Sequence, residues 1–209
     1  IGTVQTASAQ ESVPLSPLDG LKYLTQEASA DNQSGMKPHK APIKAPANLQ
    51  QGTLRITGLK AGTTVQAYRL VELASTDGKH FSNTLNNKYN DLFNALGVSS
   101  PSAFSEKAGS AVLSKAQEVI TAAEDPVPAD YTGTVAEGET EVTINNIAYG
   151  FYYVAMTAGP EDYTIYNPLL VLVPQVQKDE AGDHTYTYNV IAAAKSSQPG
   201  IEKEIVEGA

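Results

Sequence analysis

The stretch Thr143-Ile144-Asn145-Asn146-Ile147-Ala148-Tyr149-Gly150-Phe151-Tyr152-Tyr153-Val154 holds two backbone patterns side by side. Its upstream end, Glu141-Val142-Thr143-Ile144, alternates polar and apolar residues, as a strand with one wet face does. Asn145 to Gly150 reads as a turn, because Asn and Gly accept tight backbone angles at low cost. Phe151-Tyr152-Tyr153-Val154-Ala155-Met156 is rich in aromatic and β-branched residues, which fit a pleated surface. A chain assembled from such pieces is mainly β.

The same reading extends in both directions. Leu169 to Val173 is an apolar run bounded by Pro168 and Pro174, which suits a central strand buried on both faces. Lys178 to His184 is a polar turn, and Thr185 to Ala192 is a long strand with Tyr186, Tyr188, Val190 and Ala192 on one face. Upstream, Thr53 to Thr57 places Leu54 and Ile56 on one side. Thr63 to Val71 places Val65, Ala67 and Arg69 opposite Gln66, Tyr68 and Leu70. The short Gly58–Gly62 connection predicts that these two strands form a hairpin. Six or seven strands of this kind predict a β-sandwich.

One region breaks the period. Tyr89, Leu92, Phe93 and Leu96 recur at helical spacing, and Gly97 is a stop signal. A second helix is expected to start at a Ser102 cap, with Glu106 in its first turns and Pro126 and Pro128 ending it. The fold expected is therefore a β-sandwich with an α-helical insertion at about residues 85–125.

Domain organisation follows from composition. Ala7-Ser8-Ala9 resembles a signal-peptide cleavage site, so residues 1–9 read as a signal-peptide remnant and the protein as exported. Residues 10–50 read as a leader or linker. They hold Pro14, Pro17, Pro38, Pro42 and Pro46, and Lys37 to Pro46 favours extended backbone. Leu18, Leu21, Tyr23 and Leu24 could still form a short docking helix. Residues 51–195 form the expected folded domain. Residues 196–209 read as a linker, Ser196 to Gly200, followed by the first strand of a second, truncated domain.

Composition narrows the function. Lys plus Arg number 14 against 23 Asp plus Glu, a net charge of −9, which repels nucleic-acid phosphates. There are no cysteines, so disulfides, thiol nucleophiles and Cys-based zinc sites are excluded. His39, His80 and His184 fall in linkers or turns without ligand spacing, so no metal and no cofactor is expected. No catalytic or nucleotide-binding motif and no membrane span appears in the sequence. The 11 tyrosines lie mostly on expected strands, where they serve as core and rim residues.

Three features together resemble the shaft (backbone) subunits of Gram-positive sortase-assembled pili. Thr143 to Val154 is similar to the turn-Gly-aromatic-Tyr-Val signature of CnaB-type, immunoglobulin-like domains. Gly52 to Val71 resembles the opening hairpin of such domains, and a helical insertion is usual in the first domain of shaft pilins. Asn189 to Ile205 resembles the junction between first and second pilin domains. The resemblance covers about residues 50–209.

The resemblance implies a non-enzymatic structural protein, joined head to tail with copies of itself by a class C-type sortase on a cell-wall-anchored, extracellular pilus. It implies that Lys195 is the acceptor of the intermolecular isopeptide bond, although the usual Tyr-Pro-Lys-Asn reads Ala193-Ala194-Lys195-Ser196 here. Lys203, flanked by Ile201 and Ile205 on its own face, matches the lysine of an intramolecular isopeptide in the following domain. Within residues 52–192 no such bond is expected. Arg55 replaces the first-strand lysine and Ala155 the acid, and only Asn189 matches. The alternative is a pilus tip or basal adhesin that binds a host protein or glycan through loops 75–90 or 125–140. A secreted enzyme, such as a glycan-hydrolase accessory domain, is a third reading without a catalytic constellation.

Overall fold

The computed structural model describes residues 12–28, 50–75 and 77–197. The fold is mainly β with a helical insertion. In chain order it contains β1 (Val13–Pro14), α1 (Pro17–Ala28), β2 (Gln51–Thr57), β3 (Thr64–Ala74) and β4 (Ser82–Leu85). The insertion follows as a 3-10 turn (Asn87–Tyr89), α2 (Asn90–Leu96), α3 (Pro101–Ser105), α4 (Gly109–Ala116) and a π-helical turn (Gln117–Thr121). Then come β5 (Tyr131–Thr134), β6 (Glu141–Ala148), β7 (Gly150–Thr157), β8 (Ile165–Tyr166) and β9 (Leu169–Val173). The last strands are β10 (Gln175–Lys178), β11 (His184–Thr187), β12 (Asn189–Ala193) and β13 (Ser196–Ser197).

Two sheets carry the core. One has the order β4-β3-β7-β9, with β5 beside β4 on the same edge of β3. The other is β12-β2-β6, in which first and last strands run parallel, Leu54 opposite Val190 and Ile56 opposite Ala192. Strand β7 lies between β3 and β9 and is buried on both faces. Tyr152 turns toward β6, where its hydroxyl donates to the Ala148 carbonyl at 2.5 Å. Phe151 turns the other way and meets Phe104 of α3 edge to face, with centroids 5.2 Å apart. Covering both faces explains a strand that has lost its polar alternation.

Four expectations about partners change. Strands β2 and β3 are not a hairpin: β2 pairs with β6 and β12, and β3 pairs with β4, β5 and β7. The Gly58–Gly62 connection instead carries the chain from one sheet to the other, with both glycines at positive φ. A bulge between Arg69 and Val71 shifts the alternation of β3 only beyond Arg69, which stays in register opposite Tyr152 on the face of Val65 and Ala67, as expected. Asn145 to Gly150 is not a turn either. Strand β6 continues to Ala148 through Asn146 at φ 55, and Tyr149 alone separates it from β7 in the other sheet.

Leu169–Val173 is an edge strand rather than a central one. Its apolar run is explained by α1, which packs directly upon it. A Cβ added to Gly20 would stand 2.7 Å from Leu172 Cδ2. Leu18, Leu21 and Leu24 of α1 are buried, so the short docking helix is present and forms part of the core. Finally, Thr185 to Ala192 is split at Tyr188. Its first half pairs with β10 and its second half with β2. Tyr186, Tyr188 and Val190 remain on the buried face.

The insertion is shorter-jointed than its apolar stripe suggests. Gly97, at φ 71, closes α2 as expected. The following helix is capped by Ser100, whose Oγ accepts from the Ala103 amide at 3.1 Å, and not by Ser102. Pro101 at the first helical position favours that earlier start. The chain leaves helical geometry at Ala108 (ψ 143), so residues 102–125 are two short helices with Glu106 closing the first. Glu106 there pairs with Lys22 of α1 at 3.1 Å.

The insertion is tied to the sheet by one carboxylate. Asp130 Oδ2 accepts from the Tyr89 hydroxyl at 2.5 Å and from the Arg69 amide at 2.8 Å, and Oδ1 faces Lys88 Nζ at 2.9 Å. With both oxygens engaged by neighbouring elements, Asp130 acts as a joint.

Candidate functional site: the Lys195 junction

The site grows out of the parallel pairing of β12 with β2. As β12 ends, the Ala194 amide donates to the Thr57 carbonyl at 2.9 Å, which carries the chain alongside the start of the sheet-to-sheet connection. Gly58 sits there at φ 78, and a Cβ on it would meet the Ala194 carbonyl oxygen at 3.1 Å. Glycine therefore serves this position twice, by its backbone angle and by its lack of bulk.

The next residue, Lys195, is held by its backbone and free at its side chain. Its carbonyl accepts from the Asn167 amide at 2.9 Å. Beyond it, Ser196 and Ser197 pair antiparallel with Tyr166 and Ile165 of β8, and Ser197 Oγ donates to Asn167 Oδ1 at 2.6 Å. Lys195 is exposed, and among the described residues its ammonium makes no ion pair or hydrogen bond. An amine is thus displayed from a backbone anchored on both sides.

A second lysine stands at the same end of the fold but is engaged. Lys60 Nζ donates to Thr164 Oγ1 at 3.0 Å and lies 3.9 Å from Asp162 Oδ1, while its amide donates to the Tyr166 hydroxyl at 3.1 Å. Hydrogen bonds from the Thr164 side chain and amide hold the Asp162 carboxyl below the usual carboxylate range. Beside this corner lies a cleft of ≈ 660 Å³ with Tyr68, Tyr153 and Tyr166 along it and Pro126, Pro128 and Pro168 as walls. Ile165, which lines it, is 56% exposed, and the nearby Tyr163 is 84% exposed.

The other expected site residues fall as follows. Lys203, His39 and the Lys37–Pro46 run lie outside the described residues. Asn189 is opposite Thr53 in the β2–β12 register, and the Thr53 hydroxyl donates to its Oδ1 at 3.0 Å. Arg55, opposite Ile191, lies 3.7 Å from Glu141. The chain therefore places a hydroxyl, not an amine, against Asn189. His80 contacts Asp77 at 2.8 Å on the surface, and His184 stacks on Tyr23 with centroids 3.9 Å apart. Among the described residues no three of His, Cys, Asp and Glu gather as metal ligands, and no helix is long and apolar enough to cross a membrane.

Sequence reasoning missed the clamp itself. Asn167, Tyr166 and the Asp162–Thr164 turn bear no motif, and only Asp-x-Thr and Asn-Pro hint at turns there.

Comparison with known proteins gives little at the level of sequence. No family model matches the chain, and no curated protein matches it. Among solved structures the chain is similar to the T6 backbone pilin of serotype M6 Streptococcus pyogenes, at 16% identity and a TM-score of 0.37, over 72% of this chain and 29% of that one. It is also similar to the full-length major pilin SpaD from Corynebacterium diphtheriae, at 19% identity and a TM-score of 0.40, over 77% of this chain and 32% of that one. The chain thus spans about a third of the length of each pilin.

Proposed function

We propose that this chain is the N-terminal part of a structural pilus subunit, joined to further copies of itself by a sortase through Lys195. The observation that carries the reading is the display of Lys195: an exposed amine with no partner among the described residues, on a backbone clamped by Thr57, Asn167 and β8. The resemblance of Thr143–Val154 and of the Asn189–Ile205 junction to shaft pilins supports it.

In this reading a class C-type sortase holds the C-terminal threonine of one subunit as an acyl-enzyme. Lys195 Nζ attacks that carbonyl. The N–C bond forms, the acyl-enzyme bond breaks, and the amine proton leaves with the departing enzyme group. A fixed backbone limits the volume that the amine explores and so favours attack. Lys60, held by Thr164 and Asp162, is the poorer candidate. Residues 1–9 serve export, residues 51–195 form the pilin domain together with β1 and α1, and residues 196–209 lead into a second domain. There Lys203 takes part in an intramolecular isopeptide. The protein is then extracellular, anchored in the cell wall and not itself an enzyme.

The test is Lys195→Arg in the native host. Covalent multimers that resist boiling in detergent are expected to disappear, leaving monomer. A ladder unchanged by the substitution contradicts the assignment.

A further inference from the structure

Residues 83–94 contain five asparagines: Asn83, Asn86, Asn87, Asn90 and Asn94. Asn86 has a structural task. Its Nδ2 donates to the Arg69 carbonyl at 2.8 Å, and its Oδ1 accepts from the Lys88 amide at 3.1 Å. The carboxamides of the other four make no hydrogen bond among the described residues, and all four line one cleft of ≈ 520 Å³.

Two different elements bring them together. Asn83 belongs to β4, while Asn87, Asn90 and Asn94 recur along the 3-10 turn and α2 at i, i+3 and i+7, which puts them on one helical face. Half-buried Leu85 adds apolar surface to the cleft, and Phe93, almost fully buried, lines it as well. No residue lining this cleft is ionisable, although the chain as a whole carries a charge of −9. Asparagine is also a poor helix former, so Asn90 and Asn94 do not serve α2 itself.

We infer that this cleft is a binding site for a neutral oligosaccharide. A carboxamide offers a donor and an acceptor side by side, which matches vicinal sugar hydroxyls, each also donor and acceptor. Apolar surface among such groups suits the C–H face of a pyranose. The volume falls within the ~300–1,000 Å³ usual for small-ligand sites. A charged sugar would lose hydration without meeting a counter-charge, and an anionic one would also meet the acidic field of the chain. The site is independent of polymerisation through Lys195 and lies on a different part of the fold.

The test is ligand-observed NMR, measuring saturation transfer from the intact chain to lacto-N-neotetraose, maltotetraose and 3′-sialyllactose. Saturable transfer is expected to at least one of the two neutral sugars, with 3′-sialyllactose at least about fivefold weaker. The double variant Asn87→Ala/Asn94→Ala is expected to weaken binding at least about tenfold while Tm holds or rises, since alanine favours the helix. Asn94→Asp, which keeps the shape and adds charge, serves as the second variant if the first fails to fold. It is expected to weaken binding as well. Absence of transfer to both neutral sugars overturns the inference. So does transfer to 3′-sialyllactose as strong as to the neutral sugars, or undiminished binding by the folded variants.

Discussion

Gly20 sets helix propensity against packing with opposite signs. It lies inside α1, where replacing glycine by alanine ordinarily stabilises a helix by about 1 kcal/mol. Here the face that would receive the methyl group is the one seated on β9 and β10. An added Cβ stands 2.7 Å from Leu172 Cδ2 and 3.4 Å from Val176 Cγ2, and both side chains belong to the core. Overpacking of a filled core costs about 1–3 kcal/mol. Gly20→Ala is therefore expected to be neutral or to destabilise by up to ~2 kcal/mol, the difference between those two terms. Gly20→Val adds two further methyl groups at the same contact and is expected to cost at least ~2 kcal/mol and to undock α1. Urea denaturation gives the free energies, and hydrogen exchange across α1 and β9 shows the undocking. If Gly20→Ala gains the full ~1 kcal/mol and Gly20→Val is as stable as the parent, α1 is not seated on β9.

Other expectations can be checked with similar means. Gly52→Ala places a Cβ 2.2 Å from the Tyr188 carbonyl oxygen, a backbone clash that no rotamer relieves; a loss above ~3 kcal/mol in denaturant titration is expected, because the β2–β12 pairing must open. Tyr89→Phe removes the hydroxyl that Asp130 accepts and is expected to cost ~1–3 kcal/mol, whereas a neutral result by the same titration would make the Asp130 joint dispensable. Burial raises the hydroxyl pKa of Tyr68, Tyr89, Tyr149, Tyr152, Tyr153 and Tyr188 above the ordinary 10.0, with the Asp130 hydrogen bond adding to the effect at Tyr89. The folded state then holds those protons where the unfolded state releases them. Their contribution is complete below about pH 10 and is lost as pH rises above it. Tyrosinate absorbance from these six side chains is expected to appear together with unfolding rather than before it.

What could be read from sequence divides along a physical line. Strand positions in β2, β7 and β9 follow from local alternation and aromatic content, which depend on near neighbours alone. Which strand each one pairs with does not. The alternation of Leu54 and Ile56 is the same whether β2 forms a hairpin with β3 or faces it across the core. The Asn146 bend into β7 likewise looks like a turn until the two sheets are placed. The apolar run Leu169–Val173 signals burial without saying what covers it. The cover is α1, from the opposite end of the chain, through Leu18, Leu21 and Leu24. At the candidate site, Lys195 was reached through the resemblance of its neighbourhood. Its anchors Asn167 and β8 are distant in sequence and polar, so no periodicity marks them.

The most direct test of the account is peptide mass spectrometry of native surface polymers, searching for branched peptides. The account predicts a branch that joins Lys195 Nζ to the C-terminal threonine of another copy. A branch at Lys60 or at Lys37, Lys40 or Lys44 would keep polymerisation but contradict the site. Release of the protein only as an unbranched monomer would contradict the function itself.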